Sequence, residues 1–285
     1  MSAHPRLSLN QATIKYASLA EALDVTAAAG YGAIGVWREP VADVGLDRAV
    51  ELVAASGLRV STLCRGGFFT AEPGPERQRA LDDNRRAVEE TAALAAAGAP
   101  GSRPVLVLVA GGLPQGSRDL VGARLRAQEA VAELAPFAAE AGVTLAIEPM
   151  NPIYAADRGV VSTLGQALDV AEQCGPEVGV VVDTFHVWWD PQVAAEVARA
   201  GASGRIATYQ VCDWITPLPA DSLLARGYPG DGHVDFAHLT RLVTDAGYDG
   251  DIEVEIFNQQ VWDTPYPEVA DRVARAFDAE VAPAL

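Results

Sequence analysis

The sequence predicts a closed (β/α)8 barrel. Three observations lead there: short apolar runs alternate with alanine-rich helical stretches, eight such units fit into 285 residues, and the first strand-to-helix turn, LSLNQAT, lacks the GxGxxG loop of a dinucleotide-binding sheet. The candidate strands fall at 6–10, 33–37, 59–64, 104–110, 144–148, 178–183, 206–211 and 251–257. Runs such as VLVLVA and VGVVVD are apolar at every position, as expected of parallel strands covered on both faces.

The stretches between them carry helical spacing. Pro75 suits a first helical position, Leu81, Val88, Ala92 and Ala95 follow on one face, and Gly98 ends the run. The seventh helix places Phe236, Leu239, Leu242, Val243 and Ala246 on one side and stops at Gly247. Glycines 30, 57, 98, 142 and 247 each precede a strand, where a helix-to-strand turn favours left-handed backbone. No low-complexity linker interrupts the repeat, so residues 1–285 read as one domain, a length that barrels of this kind reach alone.

Composition narrows the function. Hydrophobic residues make up 49% and charged ones 21%, as in a soluble enzyme. No apolar run approaches membrane-spanning length and no secretory leader is visible, which makes a cytoplasmic protein the expectation. Cys64, Cys174 and Cys212 are too few and too scattered for a disulfide framework or a zinc ribbon. A net charge of −17 repels phosphate backbones and argues against nucleic acid as a partner. Lys15 is the single lysine, so Schiff-base chemistry has almost no candidate.

In a (β/α)8 barrel the chemistry sits where the strands end. Strand five ends at Glu148, strand six at Asp183 with His186 just beyond, strand seven carries Gln210 and Asp213, and strand eight carries Glu253 and Glu255. Side chains alternate along a strand, so Leu145 and Ile147 face the helices and Glu148 faces inward; Ile252, Val254 and Ile256 likewise leave Glu253 and Glu255 inside. One strand-end acid serves equally well as a helix cap; four polar groups in succession, all of inward parity, argue for one site. Clustered carboxylates need a counter-charge, and with no lysine nearby a divalent cation is the simplest one. Oxygen-rich ligands favour Mn2+, with Mg2+ or Co2+ as the other candidates.

The segments EPMN, VVDTFH, PGDGHVDF and EIFN together resemble the xylose isomerase-like sugar isomerase/epimerase superfamily. The resemblance implies one divalent metal held by Glu148, Asp183, Gln210 and Glu255, with Glu148 and Glu255 also acting as an acid/base pair across an enediolate and His186 touching a substrate hydroxyl. It implies a small carbohydrate substrate, and barrels of this type often pair as homodimers. Two departures stand out: the third ligand is Gln210 where many sugar epimerases have histidine, and no arginine follows it before Arg226. A metal-dependent dehydratase or lyase on a keto-sugar or keto-inositol uses the same ligands and is the alternative; a non-catalytic barrel subunit is a further one. Four histidines are too few for the multi-zinc cluster of an apurinic-site endonuclease.

Trp37 and Arg38 after strand two, Arg65 and Phe68 after strand three, Asn151 after strand five, and His186 and Trp188 after strand six are the candidate substrate contacts. For the tryptophans, packing is the competing role. Asp231 and His233 read as turn and cap residues. Without a phosphate-binding turn near the end of the barrel, the sequence leans towards an unphosphorylated substrate. Glu253 needs a partner inside the barrel that the sequence does not identify.

Overall fold

The computed structural model describes residues 3–285. Within them a closed sheet of parallel strands runs β1 Leu7–Asn10, β2 Ala33–Trp37, β3 Arg59–Gly67, β4 Val105–Val109, β5 Thr144–Glu148, β6 Val178–Asp183, β7 Ile206–Val211 and β8 Ile252–Val254. Leu7 pairs with Ile252 and Leu9 with Val254, which closes the barrel between first and last strands. The expected (β/α)8 architecture is the one observed.

Two differences from the expected strand bounds matter. β3 continues three residues beyond Cys64, and its pairing with β4 skips Arg65: Cys64 lies opposite Val107 and Gly66 opposite Leu108. Arg65 is therefore the extra residue of a bulge, a device that re-aims one side chain without ending the strand. β8 stops at Val254, so Glu255 projects from just past the strand rather than from within it.

Helices pack around the sheet because their apolar stripes match its outer face. Helix Pro75–Ala97 begins on its proline and buries Leu81, Val88 and Leu94. Phe236, Leu239 and Val243 do the same for helix Phe236–Asp245, capped by the Asp235 side chain. Of the five glycines expected in left-handed backbone, Gly98 departs, leaving its helix with φ −70°. Inside the barrel, Cys64, Val105, Val107, Ala146, Val181 and Ala207 form a small apolar plug. Around them lie polar groups: Ser8 meets Ser61 at 2.8 Å, and the Asn10 amide donates to Glu253 at 2.8 Å. The interior thus becomes more polar towards the ends of the strands, where the site opens. No helix among the described residues is long and apolar enough to cross a membrane.

Candidate functional site

The alternation that turns Ala146 inward turns Glu148 inward too, and register places the remaining groups around it. Asp183 lies opposite Gln210, and Gln210 opposite Glu253, on three neighbouring strands. Glu148, Asp183, Gln210 and Glu255 are all buried. They form part of the floor, or lie beside it, of a cavity of about 850 Å3 that opens at the C-terminal ends of the strands and includes Trp37, Arg65, Phe68, Phe257 and Trp262 in its walls.

The feature the sequence reading missed is Arg226. After β7 the chain runs Asp213–Trp214, makes an excursion, and returns as Arg226–Gly227 paired antiparallel with it. Asp213 secures the segment beyond by accepting N–H groups of Gly230, Gly232 and Val234 at 3.0, 2.7 and 3.0 Å. This ribbon delivers the Arg226 guanidinium between the rings of Phe185 and Phe257, at 4.7 and 4.9 Å from their centres. Its Nη1 donates to Glu255 at 2.6 Å and to Asp183 at 3.3 Å. So a cation is present at the acid cluster, supplied by sequence 16 residues after Gln210. The only signals for it were the Trp-Ile and Arg-Gly pairs flanking a turn-rich excursion, too weak to read alone.

Burial and mutual repulsion govern the protonation of the acids. Glu148 is pushed well above the usual carboxylate range, first by burial and then by Glu255 and Asp183, with Arg226 and Arg65 pulling it back. Glu255 is pushed up to about 7 by burial, against the opposing pull of Arg226. Burial also raises Asp183, and there Arg226 and the backbone N–H of Phe185, at 2.7 Å from Oδ1, oppose it. Three raised carboxyls around one guanidinium are under-compensated, which is the electrostatic condition for taking up a further cation.

His186 is fully buried, and burial and Arg226 both hold it neutral. Its Nδ1 accepts the N–H of Asn151 at 3.1 Å. Nε2 lies 3.8 Å from Glu148 and 3.1 Å from Arg226 Nη2, so both ring nitrogens face N–H donors and a neutral ring can accept from only one of them. Glu148, Asp183 and His186 converge closely enough to hold a metal ion. A nitrogen of His186 is thus one of the three ligand atoms within reach of a single ion.

Gln210 supplies the test of whether a metal fits. Its Oε1 and Nε2, and Glu253 Oε1 beside it, are buried without a well-formed hydrogen bond, although the Gln210 amide lies close enough to Glu253 to draw its carboxyl down. Buried polar atoms without partners are costly, about 1–3 kcal/mol each. A cation on Gln210 Oε1, with Nε2 turned to Glu253, satisfies all three atoms. The donor chemistry fits a divalent ion: Glu148, Asp183 and His186 are close enough to share one, and Gln210 beside Asp183 offers a further oxygen. Glu253 finds its partner in Asn10, with Thr62 and Ser61 offsetting part of the rise that burial imposes on its carboxyl.

The other expected contacts divide. Trp37, Arg65 and Phe68 line the cavity. Arg38 does not: it turns away to Asp83 at 2.9 Å and Glu90 at 2.6 Å, because helix 75–97 presents two acids to it. Asn151 uses its side chain to cap Ile153 and its backbone to hold His186. Trp188 packs beside Trp214, at 6.0 Å between ring centres, outside the cavity lining. Asp231 pairs with Arg272 at 2.9 Å and His233 meets Thr216 at 3.0 Å, so neither reaches the acid cluster.

Comparison with known proteins agrees with this architecture. Protein SMc04130 of Sinorhizobium meliloti 1021 has a crystal structure that is 46% identical, covers 97% of this chain and 98% of its own, and superimposes with a TM-score of 0.92. The IOLI protein, whose crystal structure contains a bound zinc atom, shares the fold at 19% identity and a TM-score of 0.82, covering 98% of this chain and 99% of its own. An L-ribulose 3-epimerase from Mesorhizobium japonicum is 28% identical over 139 residues, which is 48% of this chain and 42% of that enzyme. The model of the xylose isomerase-like TIM barrel family matches residues 23–279, and the chain belongs to that family.

Proposed function

We propose that this protein is a divalent-metal-dependent sugar isomerase or epimerase that acts on a keto-sugar or related polyol through an enediolate. The observation that carries this reading is the closeness of Glu148, Asp183 and His186 to one another beneath a cavity that Glu148 and Glu255 line. The likeness to an L-ribulose 3-epimerase supports it. Mn2+ is the expected ion, and when bound it supplies charge stabilisation for the oxygens of a developing enediolate.

The chain's own residues do the rest. Glu148 lies at the end of β5 and Glu255 just past β8, so a substrate carbon between them meets a carboxylate on each face. One removes the α-proton and the other returns it, which inverts the centre. Arg226, fixed between two rings, keeps Glu255 oriented and opposes its protonation. His186 meets a substrate hydroxyl, and the aromatic walls exclude water.

A dehydratase is the second reading, favoured by Glu148. An elimination needs an acid for the departing hydroxyl, and this carboxyl, which burial holds well above the usual range, is placed to serve. Incubating the Mn2+-loaded protein with keto-sugars and keto-inositols and weighing the products separates the two. Conserved mass, with α-hydrogen exchange into deuterated water, supports epimerisation; loss of one water supports the lyase; no turnover or exchange with any of them contradicts both.

A further inference from the structure

Four cationic side chains line the cavity: Lys15, Arg65, Arg158 and Arg226. Two are committed. Arg226 is held by Glu255 and Asp183, and Arg158 pairs with Asp221 at 3.2 Å and Asp157 at 3.5 Å. Lys15 is exposed at the rim and lies over the Trp262 ring, 4.5 Å from its centre. Arg65 differs from all of them. It is half-buried, and among the described residues its guanidinium contacts two rings, Trp37 at 4.9 Å and Phe68 at 5.4 Å, with no acid or carbonyl in hydrogen-bond reach. It shares one cavity lining with Glu148 and Glu255.

Three features build that position. The β3 bulge leaves Arg65 without a strand partner and aims it off the ladder. Asn84, buried in helix Pro75–Ala97, clamps Gly67 from both sides, accepting its N–H at 2.7 Å and donating to its carbonyl at 2.9 Å. A side chain at Gly67 would collide with the Val109 backbone, so the segment's course is fixed. Phe68 then adopts φ +62°, a left-handed conformation that costs a non-glycine residue energy, and keeps its ring 49% exposed beside the Arg65 guanidinium.

Two rings flank the guanidinium, and among the described residues its N–H donors meet no acceptor. The edge those donors form matches the paired oxygens of a carboxylate or phosphate, whereas a neutral sugar hydroxyl meets it through one bond. We propose that the substrate of this site carries one oxyanion, a carboxylate or a phosphate ester, which Arg65 receives while the keto-polyol end reaches Glu148 and Glu255. This rests on the reading of the cavity as a sugar site and specifies the class of sugar.

The test is calorimetric titration of the Mn2+-loaded full chain with three six-carbon probes: D-fructose, 5-keto-D-gluconate and D-fructose 6-phosphate. One charged probe is expected to bind at least about tenfold more tightly than fructose, the gain from one charge-assisted pair. Which of the two does so identifies carboxylate or phosphate as the anion. Arg65→Met should reduce the ratio to near one, and Arg65→Lys, which keeps the charge without the fork, should restore part of it. Fructose binding as tightly as both charged probes overturns the oxyanion proposal while leaving the sugar-enzyme reading intact. A charged preference that survives in Arg65→Met, or no binding of any probe, also overturns it.

Discussion

The two sides of the barrel mouth are made of different material. Strands β5 to β8 bring acids and an amide, all buried and crowded around one guanidinium; the segments after β2 and β3 bring Trp37, Arg65 and Phe68, half-open and mostly apolar. The acid side sits on rigid strand ends, where geometry is fixed to a fraction of an ångström. The aromatic side sits on a bulge and a strained residue, where a few changes alter shape without disturbing the barrel. Under the proposed function, the contrast separates a side that performs chemistry from a side that selects what undergoes it, and each can be perturbed alone.

The sharpest separation comes from the acid side. Glu255→Gln keeps the shape of the side chain but removes a ligand and a base, so turnover should fall by about 10²–10⁴-fold with little change in the binding of a substrate analogue. Steady-state kinetics beside equilibrium titration reads both. A fall in turnover below tenfold would move the base elsewhere.

Arg226→Met is next. It strips the Asp183–Glu255 pair of its buried counter-charge, and breaking such a pair costs about 3–5 kcal/mol. Denaturant unfolding of the metal-free protein should show that loss, and saturating Mn2+ should recover much of it, since the ion replaces the missing charge. An equal loss in both states would mean that Arg226 is a packing residue only.

The same electrostatics sets a pH dependence. Glu255 is raised to about 7 in the folded, metal-free chain, above its ordinary value of 4.5. Its protonated form therefore contributes stability that is fully present below about 4.5 and is lost as pH rises through 7. Metal needs the ionised form, so Mn2+ affinity should rise over that same window. Metal-free and metal-loaded thermal midpoints should diverge between pH 5 and pH 7.5, on the order of the titration range given by this shift. Parallel midpoints would contradict the assignment of Glu255 to the metal.

The smallest effect belongs to the aromatic side. Phe68→Gly relieves the φ of +62° and should leave stability unchanged or improve it by about 1 kcal/mol, while substrate affinity falls because Arg65 loses one of its stacking faces. Denaturation midpoints and KM measured together test the trade.

What could be read from the sequence follows the same division. Period-two parity placed Glu148, Asp183, Gln210 and Glu253 correctly, because a strand buried on both faces leaves no freedom over which way a side chain points. Glu255 also reached the floor, although it lies one residue past β8. Arg226 stayed hidden, since its approach depends on an antiparallel pairing across a turn-rich excursion that carries no periodic signal. Arg38 was misplaced for a related reason: what decides its direction is a pair of acids on a helix about 50 residues away, Asp83 and Glu90. The contact between His186 Nδ1 and the Asn151 N–H, at 3.1 Å, is likewise one that no sequence pattern announces.

The central claim is that Glu148, Asp183, Gln210 and Glu255 hold one divalent ion, and elemental analysis of the purified protein beside its Glu148→Gln variant tests it most directly. The account predicts about one Mn2+ or similar ion per chain in the parent protein, and loss of that ion in the variant. No ion in either protein, with none retained after addition of Mn2+, Co2+ or Mg2+, would contradict it.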